Sequence, residues 1–299
     1  MSDTYTNITP GNRFRKALED NAPLQIVGAI NAYTAVMAEK IGHKCLYLSG
    51  GGVANASYGI PDLGMTSLND VLEDVRRVGS ATSLPLLVDI DTGWGGAFNI
   101  AKTIKNVISS GAAAAHIEDQ VAQKRCGHRP NKECVSKEEM CDRIKAAADA
   151  KVDSSFFLMA RTDAFATEGL NSAIERAQSY VEAGADGIFA EAVTEQSHYE
   201  AFREAVDVPI LANMTEFGKT PLYNRDDLGR WGVDMVLYPL SAFRVMNKAA
   251  ENLYRVLLAE GDQSRLVEEM QTREELYDYL DYHSYEQKLD DLFSKEDGS

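Results

Sequence analysis

The segment Leu86-Leu-Val-Asp-Ile-Asp91 sets two carboxylates, Asp89 and Asp91, two residues apart at the end of an apolar run. Side chains alternate across a strand, so such a pair faces one way. Carboxylates sharing a face repel each other unless a cation lies between them. Oxygen donors suit hard Mg2+ or Mn2+ better than zinc. The same Asp-x-Asp string also occurs as a plain turn. Other apolar runs end in similar polar residues: Ser49-Gly-Gly-Gly52, His116 with Glu118, Arg161 with Asp163, Glu191, and Asn213 with Thr215, while Ser241 and Arg244 follow the last run. Arg161 reads as a two-point clamp on a carboxylate or as a structural partner of Asp163. The glycine run reads as a tight turn, or as a place where a ligand carboxylate reaches backbone N–H groups because no side chains intervene.

A second concentration of chemistry is Lys124-Arg-Cys-Gly-His-Arg-Pro-Asn-Lys132, a basic segment holding Cys126 and His128. Gly127 and Pro130 argue against helix there. Nearby cations and imidazole favour the thiolate of Cys126 and make it reactive. The plainer reading is a surface basic loop with an incidental thiol. Cys45 lies in an apolar run and reads as inert core; Cys134 and Cys141 have no evident partner. A zinc site from Cys126, His128, Cys134 and Cys141 is disfavoured, since the spacing matches no usual zinc framework.

These residues need a scaffold that brings strand ends together. Eight short apolar runs qualify as buried strands: Leu24–Ile30, Cys45–Leu48, Leu86–Ile90, Ala113–Ile117, Phe156–Ala160, Gly187–Ala190, Pro209–Ala212 and Met235–Tyr238. Amphipathic stretches lie between them. Ser67-Leu-Asn-Asp70 opens one helix, with Leu68, Val71, Leu72 and Val75 on one face. Ser136-Lys-Glu-Glu139 predicts a reciprocal capping box before another, and Leu170–Ala183 carries a third. Gly42, Gly111, Gly184 and Gly232 fall where left-handed helix ends are needed. Eight strand–helix units predict a parallel (β/α)8 TIM barrel over about residues 20–260, with its active site at the C-terminal strand ends. Residues 261–299 read as extra C-terminal helices, with Leu266, Met270, Leu276, Leu280 and Leu289 at helical intervals. That stripe needs a partner surface, for which a neighbouring subunit is a candidate. No linker or low-complexity stretch divides the chain, so residues 1–299 read as a single domain.

The chain of 299 residues carries 46 acidic and 30 basic side chains, a formal charge of −16. That disfavours nucleic acid and anionic membrane as partners, because both need a basic footprint. A local Arg cluster can still hold an anionic substrate. More than half the excess lies from Leu257 onward, which reads as a solvated helical face. Residues 1–15 are polar and no apolar run approaches the ~20 residues that span a bilayer. A reducing cytoplasm with free thiols is the expected setting.

Taken together, YLSGGGVA (47–54), LPLLVDIDTGWG (84–95), HIEDQ (116–120), KRCGHRPNK (124–132), MARTDA (159–164), PILAN-x-TEFG (209–218), LYPLSAFR (237–244) and MQTREELY (270–277) are spread from residue 47 to residue 277. In order and spacing they resemble the isocitrate lyase and phosphoenolpyruvate mutase superfamily, on its lyase branch, and are similar to the 2-methylisocitrate lyase family. The resemblance implies a Mg2+-dependent cleavage of a small tricarboxylate, 2-methylisocitrate, into pyruvate and succinate, within propionate catabolism by the methylcitrate cycle. It implies a barrel assembled as a homotetramer, with C-terminal helices exchanged between neighbours. Asp89 and Asp91 match the metal pair; Asp62 and Glu118 match acidic groups one water further out. Ser49, Gly50 and Gly51 match the grip on the pyruvate-forming part. Cys126 and Gly127 match the catalytic loop, with Cys126 as general acid and Lys124 and His128 tuning or resupplying its proton. Arg161, Glu191, Asn213, Met214, Thr215, Arg244 and Arg273 match substrate contacts, Met214 through its backbone. Tyr47 is a candidate for the base that takes the hydroxyl proton. The Asp-Thr-Gly-Trp-Gly-Gly loop is shorter than in some relatives, which affects contacts around Trp94. Isocitrate cleavage, oxaloacetate decarboxylation, phosphonopyruvate-type chemistry and a non-catalytic binding barrel are the competing readings.

Overall fold

The structure, a computed structural model, describes residues 8–125, 127 and 132–294. The described chain forms two compact units, one ending at Phe243 and one starting at Arg244.

The first unit is a closed barrel of eight parallel strands in sequence order: β1 Leu24–Gly28, β2 Leu46–Leu48, β3 Leu86–Asp89, β4 Ala114–Glu118, β5 Phe157–Thr162, β6 Gly187–Ala190, β7 Ile210–Asn213 and β8 Met235–Tyr238. Closure is made by β1 on β8, with Leu24 opposite Met235. Each predicted apolar run overlaps one strand, with ends within two residues. The strands read as continuous hydrophobic runs because both faces are buried, one against helices and one inside the barrel.

Strand parity separates two cores. Leu46, Leu48, Leu86, Val88, Ile117, Leu158, Ile188 and Val236 pack outward with helix residues such as Val71, Val75, Ile104 and Ile144. Leu24, Ile26, Tyr47, Leu87, Ala114, Phe157, Met159, Phe189, Leu211 and Leu237 fill the interior. Phe14, from the helix Pro10–Asp20, closes the N-terminal end of that interior, its ring 5.0 Å from Phe157. The active end is therefore left to the C-terminal side.

Helix ends follow local chemistry. Gly42, Gly111, Gly184 and Gly232 all have positive φ, from +87° to +112°, as their positions require. Ser67 and Asp70 cap the helix Leu68–Ala81 reciprocally. The box expected at Ser136 is only half formed. Ser136 Oγ accepts from the Glu139 N–H, but the Glu139 carboxylate turns to Arg143, 2.7 Å away. An intrahelical cation four residues on competes better for that carboxylate than the cap N–H.

The second unit continues the helix Ser241–Glu260 and adds a 3-10 turn Ser264–Glu269 and helices Arg273–Leu280 and Tyr282–Phe293. Thr272 and Glu275 form a capping box at the start of the first of these helices. Of the predicted stripe, Met270, Leu280 and Leu289 are exposed in the single chain, Leu276 is half-buried and Leu266 is buried; Leu258, Tyr285, Leu292 and Phe293 are exposed as well. No described helix is long and apolar enough to cross a membrane.

Candidate active site

The interior parity that builds the inner core continues past the strand ends and delivers the polar set. Tyr47 leads to Ser49, Leu87 to Asp89 and Asp91, Ala114 to His116 and Glu118, Met159 to Arg161 and Asp163, Phe189 to Glu191, and Leu211 to Asn213 and Thr215. All of these but Ser49 are buried. Met214 has the opposite parity. Its side chain lies in the outer core, and its N–H bonds the Leu237 carbonyl.

Asp89 is held from three directions. Gly50 N–H donates to Oδ2 at 3.2 Å, Asp91 N–H to Oδ1 at 3.0 Å, and the Tyr47 hydroxyl approaches Oδ2 at 3.4 Å. Burial raises the Asp89 carboxyl, but His116, Lys124 and Arg161 more than offset that and hold it at about 2. Burial, and then the charge of Asp89, push Asp91 up to about 6. Burial also drives His116 down to about 4, so at neutral pH it is a neutral imidazole, hydrogen-bonded to Tyr47 at 2.9 Å. The Tyr47 phenol is pushed well above its ordinary value by burial and then by Asp89. Its hydroxyl stands between the Asp89 carboxylate and the His116 ring.

Lys124 reaches across the mouth to Asp62 at 2.5 Å and Asp91 at 2.7 Å. Burial opposes its charge, but Asp91, Glu118, Asp89 and Asp62 outweigh burial, so its pKa stands above the ordinary lysine value. It acts as a fixed cation. Opposite it, Arg161 is surrounded by carboxylates. Its Nε donates to Asp163 Oδ2 at 2.9 Å, its Nη2 to Asp163 Oδ1 at 3.2 Å, and it lies 3.2 Å from Glu191 and 3.4 Å from Glu118. Its guanidinium also lies over the Phe189 ring, 5.1 Å from the centroid. Both oxygens of Glu191 accept from Asn213 Nδ2 at 3.3 Å. Glu118 sits among them with Oε1 lacking a hydrogen-bond partner, and burial raises its pKa well above the usual carboxylate value.

The backbone carries strain around this mouth. Asp91 and Trp94 after β3, Ala192 after β6 and Phe217 after β7 all have φ between +47° and +62°. Such positions cost on the order of 1–3 kcal/mol each in non-glycine residues and cluster at functional sites. Trp94 is held by its indole N–H on the Thr66 carbonyl at 2.9 Å. The glycine run makes a buried turn, with Ser49 Oγ accepting from the Gly52 N–H, and a π-helical segment, Val53–Ser57, follows it. A Cβ on Gly50 would stand 3.1 Å from Asp89 Oδ2 and 3.2 Å from Asp91 Oδ1, and one on Gly51 would stand 3.0 Å from Asp62 Oδ2. The glycines thus keep open the space beside the carboxylates.

The donor set for a metal is all oxygen. Among the described residues no three His, Cys, Asp or Glu side chains converge as a cage. A cation here would take few protein oxygens and fill its shell with water and substrate, which fits Mg2+. The glycine-lined space beside Asp89 and Asp91 and the orphaned oxygen of Glu118 are consistent with such an ion.

Cys126 and His128 lie outside the described residues. Gly127 is described and buried, and a Cβ there would come within 2.7 Å of Glu191 Cγ and closer still to Arg161 Nη2. Gly127 therefore lies directly on Arg161 and Glu191. Arg244 and Arg273 belong to the second unit, where both are exposed. Cys45, Cys134 and Cys141 are free thiols. Burial raises all three, Cys134 to about 12, so none is a ready thiolate. His116 and Asp163 are functional neighbours that strand parity could have added to the site. Lys132, in a loop, carried no such signal.

Residues 14–258 match the family model described as phosphoenolpyruvate phosphomutase. A 2-methylisocitrate lyase from Vibrio cholerae serotype O1 is 64% identical over 301 residues, covering 99% of this chain and 98% of that protein. A crystal structure of 2,3-dimethylmalate lyase superposes with a TM-score of 0.87 at 31% identity, over 95% of each chain. Phosphonopyruvate hydrolase in complex with oxalate and Mg2+ gives 0.83 at 27% identity, over 96% of this chain and 100% of that one. With a buried carboxylate pair, an arginine among three carboxylates and a loop glycine pressed onto them at the mouth of an eight-stranded barrel, the chain belongs to the phosphoenolpyruvate phosphomutase family and, within it, to the 2-methylisocitrate lyases, a group of carbon–carbon lyases.

Proposed function

We propose that this chain cleaves 2-methylisocitrate into pyruvate and succinate with Mg2+, or Mn2+, as cofactor, as the lyase step of propionate catabolism through the methylcitrate cycle. The observation that carries this reading is the placement of Gly127, the residue after Cys126 in the sequence, on Arg161 and Glu191 at the same mouth as Asp89 and Asp91. Asp89 and Asp91 would hold the metal, with Asp62 and Glu118 one water away, and the ion would supply a Lewis acid that lowers the substrate hydroxyl pKa and holds the forming keto acid. The Ser49–Gly51 turn would grip the pyruvate-forming part through its backbone. Arg161, Glu191, Asn213 and Thr215 would orient the rest of the substrate, with Arg244, Arg273 and the Met214 backbone as further contacts.

Transfer of the hydroxyl proton to a base at the mouth, for which Tyr47 is the candidate, would let the alkoxide become the keto group of pyruvate as the carbon–carbon bond breaks. The bonding electron pair passes into the succinate-forming fragment as an aci-carboxylate, whose charge Arg161 would stabilise. Cys126 would then deliver its proton to that carbon, with His128 and Lys124 tuning or resupplying it. A loop covering the site keeps water from protonating the carbanion first.

The barrel over about residues 20–260 would form the catalytic body, and the helices of about 261–299 would pass to a neighbouring copy in a homotetramer. The exposed apolar side chains of the second unit support that assembly. The acidic composition supports a cytoplasmic enzyme that binds neither membrane nor nucleic acid.

The direct test follows pyruvate release from 2-methylisocitrate beside glyoxylate release from isocitrate, with and without chelator. Chelator-sensitive pyruvate release with little glyoxylate is expected. Preference for isocitrate would overturn the substrate assignment, and product formation in full chelator would overturn the metal.

The packing of Gly127 gives a second expectation. Gly127→Ala should lower kcat by about 10²-fold, because an added methyl must lift the loop off Arg161 and Glu191. The thermal midpoint should stay unchanged, since a loop and not the barrel gives way. Undiminished kcat would show that this close approach is not needed for turnover.

A further inference from the structure

Lys132 ends the basic segment, and its side chain is only 1% exposed. Burying an ammonium costs several kcal/mol unless it is well paired. The barrel itself gives no reason for one here, since a methionine would fill the same volume. The ammonium makes two short contacts. It donates to the Gly127 carbonyl at 2.6 Å and to Asp163 Oδ1 at 2.5 Å. Asp163 is fully buried and is the carboxylate that grips Arg161 at two points. Its own N–H is tied to Asp119 Oδ1 at 2.9 Å, and Thr162 and Tyr180 hold Asp119 from behind.

We propose that Lys132 is a positioning residue for the lyase reaction, a bridge that locks Gly127 of the loop and Arg161 of the barrel into register through Asp163. The proposal rests on the function proposed above.

Two observations separate this from a merely structural clamp. The base of the loop is already fastened without Lys132. Val121 N–H bonds the Glu133 carbonyl at 3.0 Å, Val135 N–H bonds the Asp119 carbonyl at 2.8 Å, and the Gln120 side chain pairs with both the N–H and carbonyl of Arg125 at 2.9 Å. Lys132 instead reaches past that base to Gly127, which packs on Arg161 and Glu191. The second observation is charge. Arg161 faces the three carboxylates Glu118, Asp163 and Glu191. Lys132 adds a second cation on Asp163 Oδ1, so more of the Arg161 charge is left to act on a substrate carboxylate. In a buried site at low effective dielectric such a redistribution is strong.

The test is Lys132→Met in the full chain, assayed with 2-methylisocitrate and Mg2+ beside the parent. The expected result is a kcat lower by about 10²-fold with KM changed by less than about fivefold, because misplacement penalises the transition state more than the ground state. Lys132→Arg, which keeps a cation and its donors, should recover at least about tenfold of that loss. A readout that needs no turnover is tryptic cleavage after Arg125, followed by mass spectrometry. It should quicken by about tenfold once the Gly127 carbonyl is released. Should Lys132→Met fail to fold, Lys132→Gln, which keeps a donor without the charge, takes its place with the same expected losses. A kcat within about threefold of the parent would overturn the proposal, as would a loss of kcat with unchanged cleavage and no recovery by arginine. If the parent itself releases no pyruvate, the proposed reaction fails, and the cleavage rate still decides whether Lys132 holds the loop.

Discussion

Arg161→Lys is expected to lower the turnover of 2-methylisocitrate by about 10³-fold, in line with losing a preorganised donor at a developing charge. The substitution keeps the positive charge, so the effect isolates geometry. In the native site one planar guanidinium binds Asp163 at two points while also lying 3.2 Å from Glu191 and 3.4 Å from Glu118. A lysine ammonium is a point charge on a flexible stem and cannot serve all three carboxylates in fixed directions. At least one buried carboxylate would then lack its partner. A loss of stability of about 1–3 kcal/mol should accompany the kinetic effect, since unsatisfied buried acceptors cost that much. Pyruvate release and urea unfolding on the same preparation check both. Turnover above a tenth of the parent would show that charge at this position, without the fork, is sufficient.

The second large effect concerns Cys126. Cys126→Ser should bind substrate analogues and Mg2+ within a few-fold of the parent while losing about 10³-fold in kcat, the range typical of removing a general acid. A thiol has an ordinary pKa near 8.5 and can deliver a proton near neutrality; an alcohol is a far weaker acid. The other thiols offer no substitute. Cys45 is fully buried in the barrel interior and Cys134 is raised to about 12. Calorimetry with succinate separates binding from chemistry. Near-normal turnover in the serine variant would remove Cys126 as the proton donor.

The similar structures sharpen what distinguishes this chain. A 2,3-dimethylmalate lyase and a phosphonopyruvate hydrolase share its barrel at TM-scores of 0.87 and 0.83, although their names describe different bonds broken. A barrel of this kind hosts many reactions through its loops, so fold alone does not choose among them. In this chain the segment around Gly127 is fastened by Gln120, Lys124 and Lys132.

Much of this was legible without coordinates, for a definite reason. A parallel barrel buries both faces of every strand, so each strand is written as a short apolar run, and all eight were found with ends within about two residues. Period-two alternation then assigns Asp89, Asp91, Glu118, Arg161, Glu191, Asn213 and Thr215 to one face, and the same rule sends Met214 to the other. Left-handed glycines at helix ends follow from sterics and were equally readable.

What the residues alone left open involves partners brought together from distant parts of the chain. Glu139 was expected to reach back to the cap N–H, and the folded helix gives its carboxylate to Arg143 instead. Tyr47 was named only for its place at the mouth, and the structure adds that its hydroxyl meets both Asp89 and His116. Lys132 stood as one more cation in a basic loop, and Asp163 as the far half of a local pair. No periodicity links residues 132 and 163, because a loop has none. Sequence spacing alone therefore determined which side chains face the barrel mouth. Only the tertiary structure decided how charge is shared there, since electrostatic energies depend on ångström distances and on exclusion of water, which no local pattern encodes.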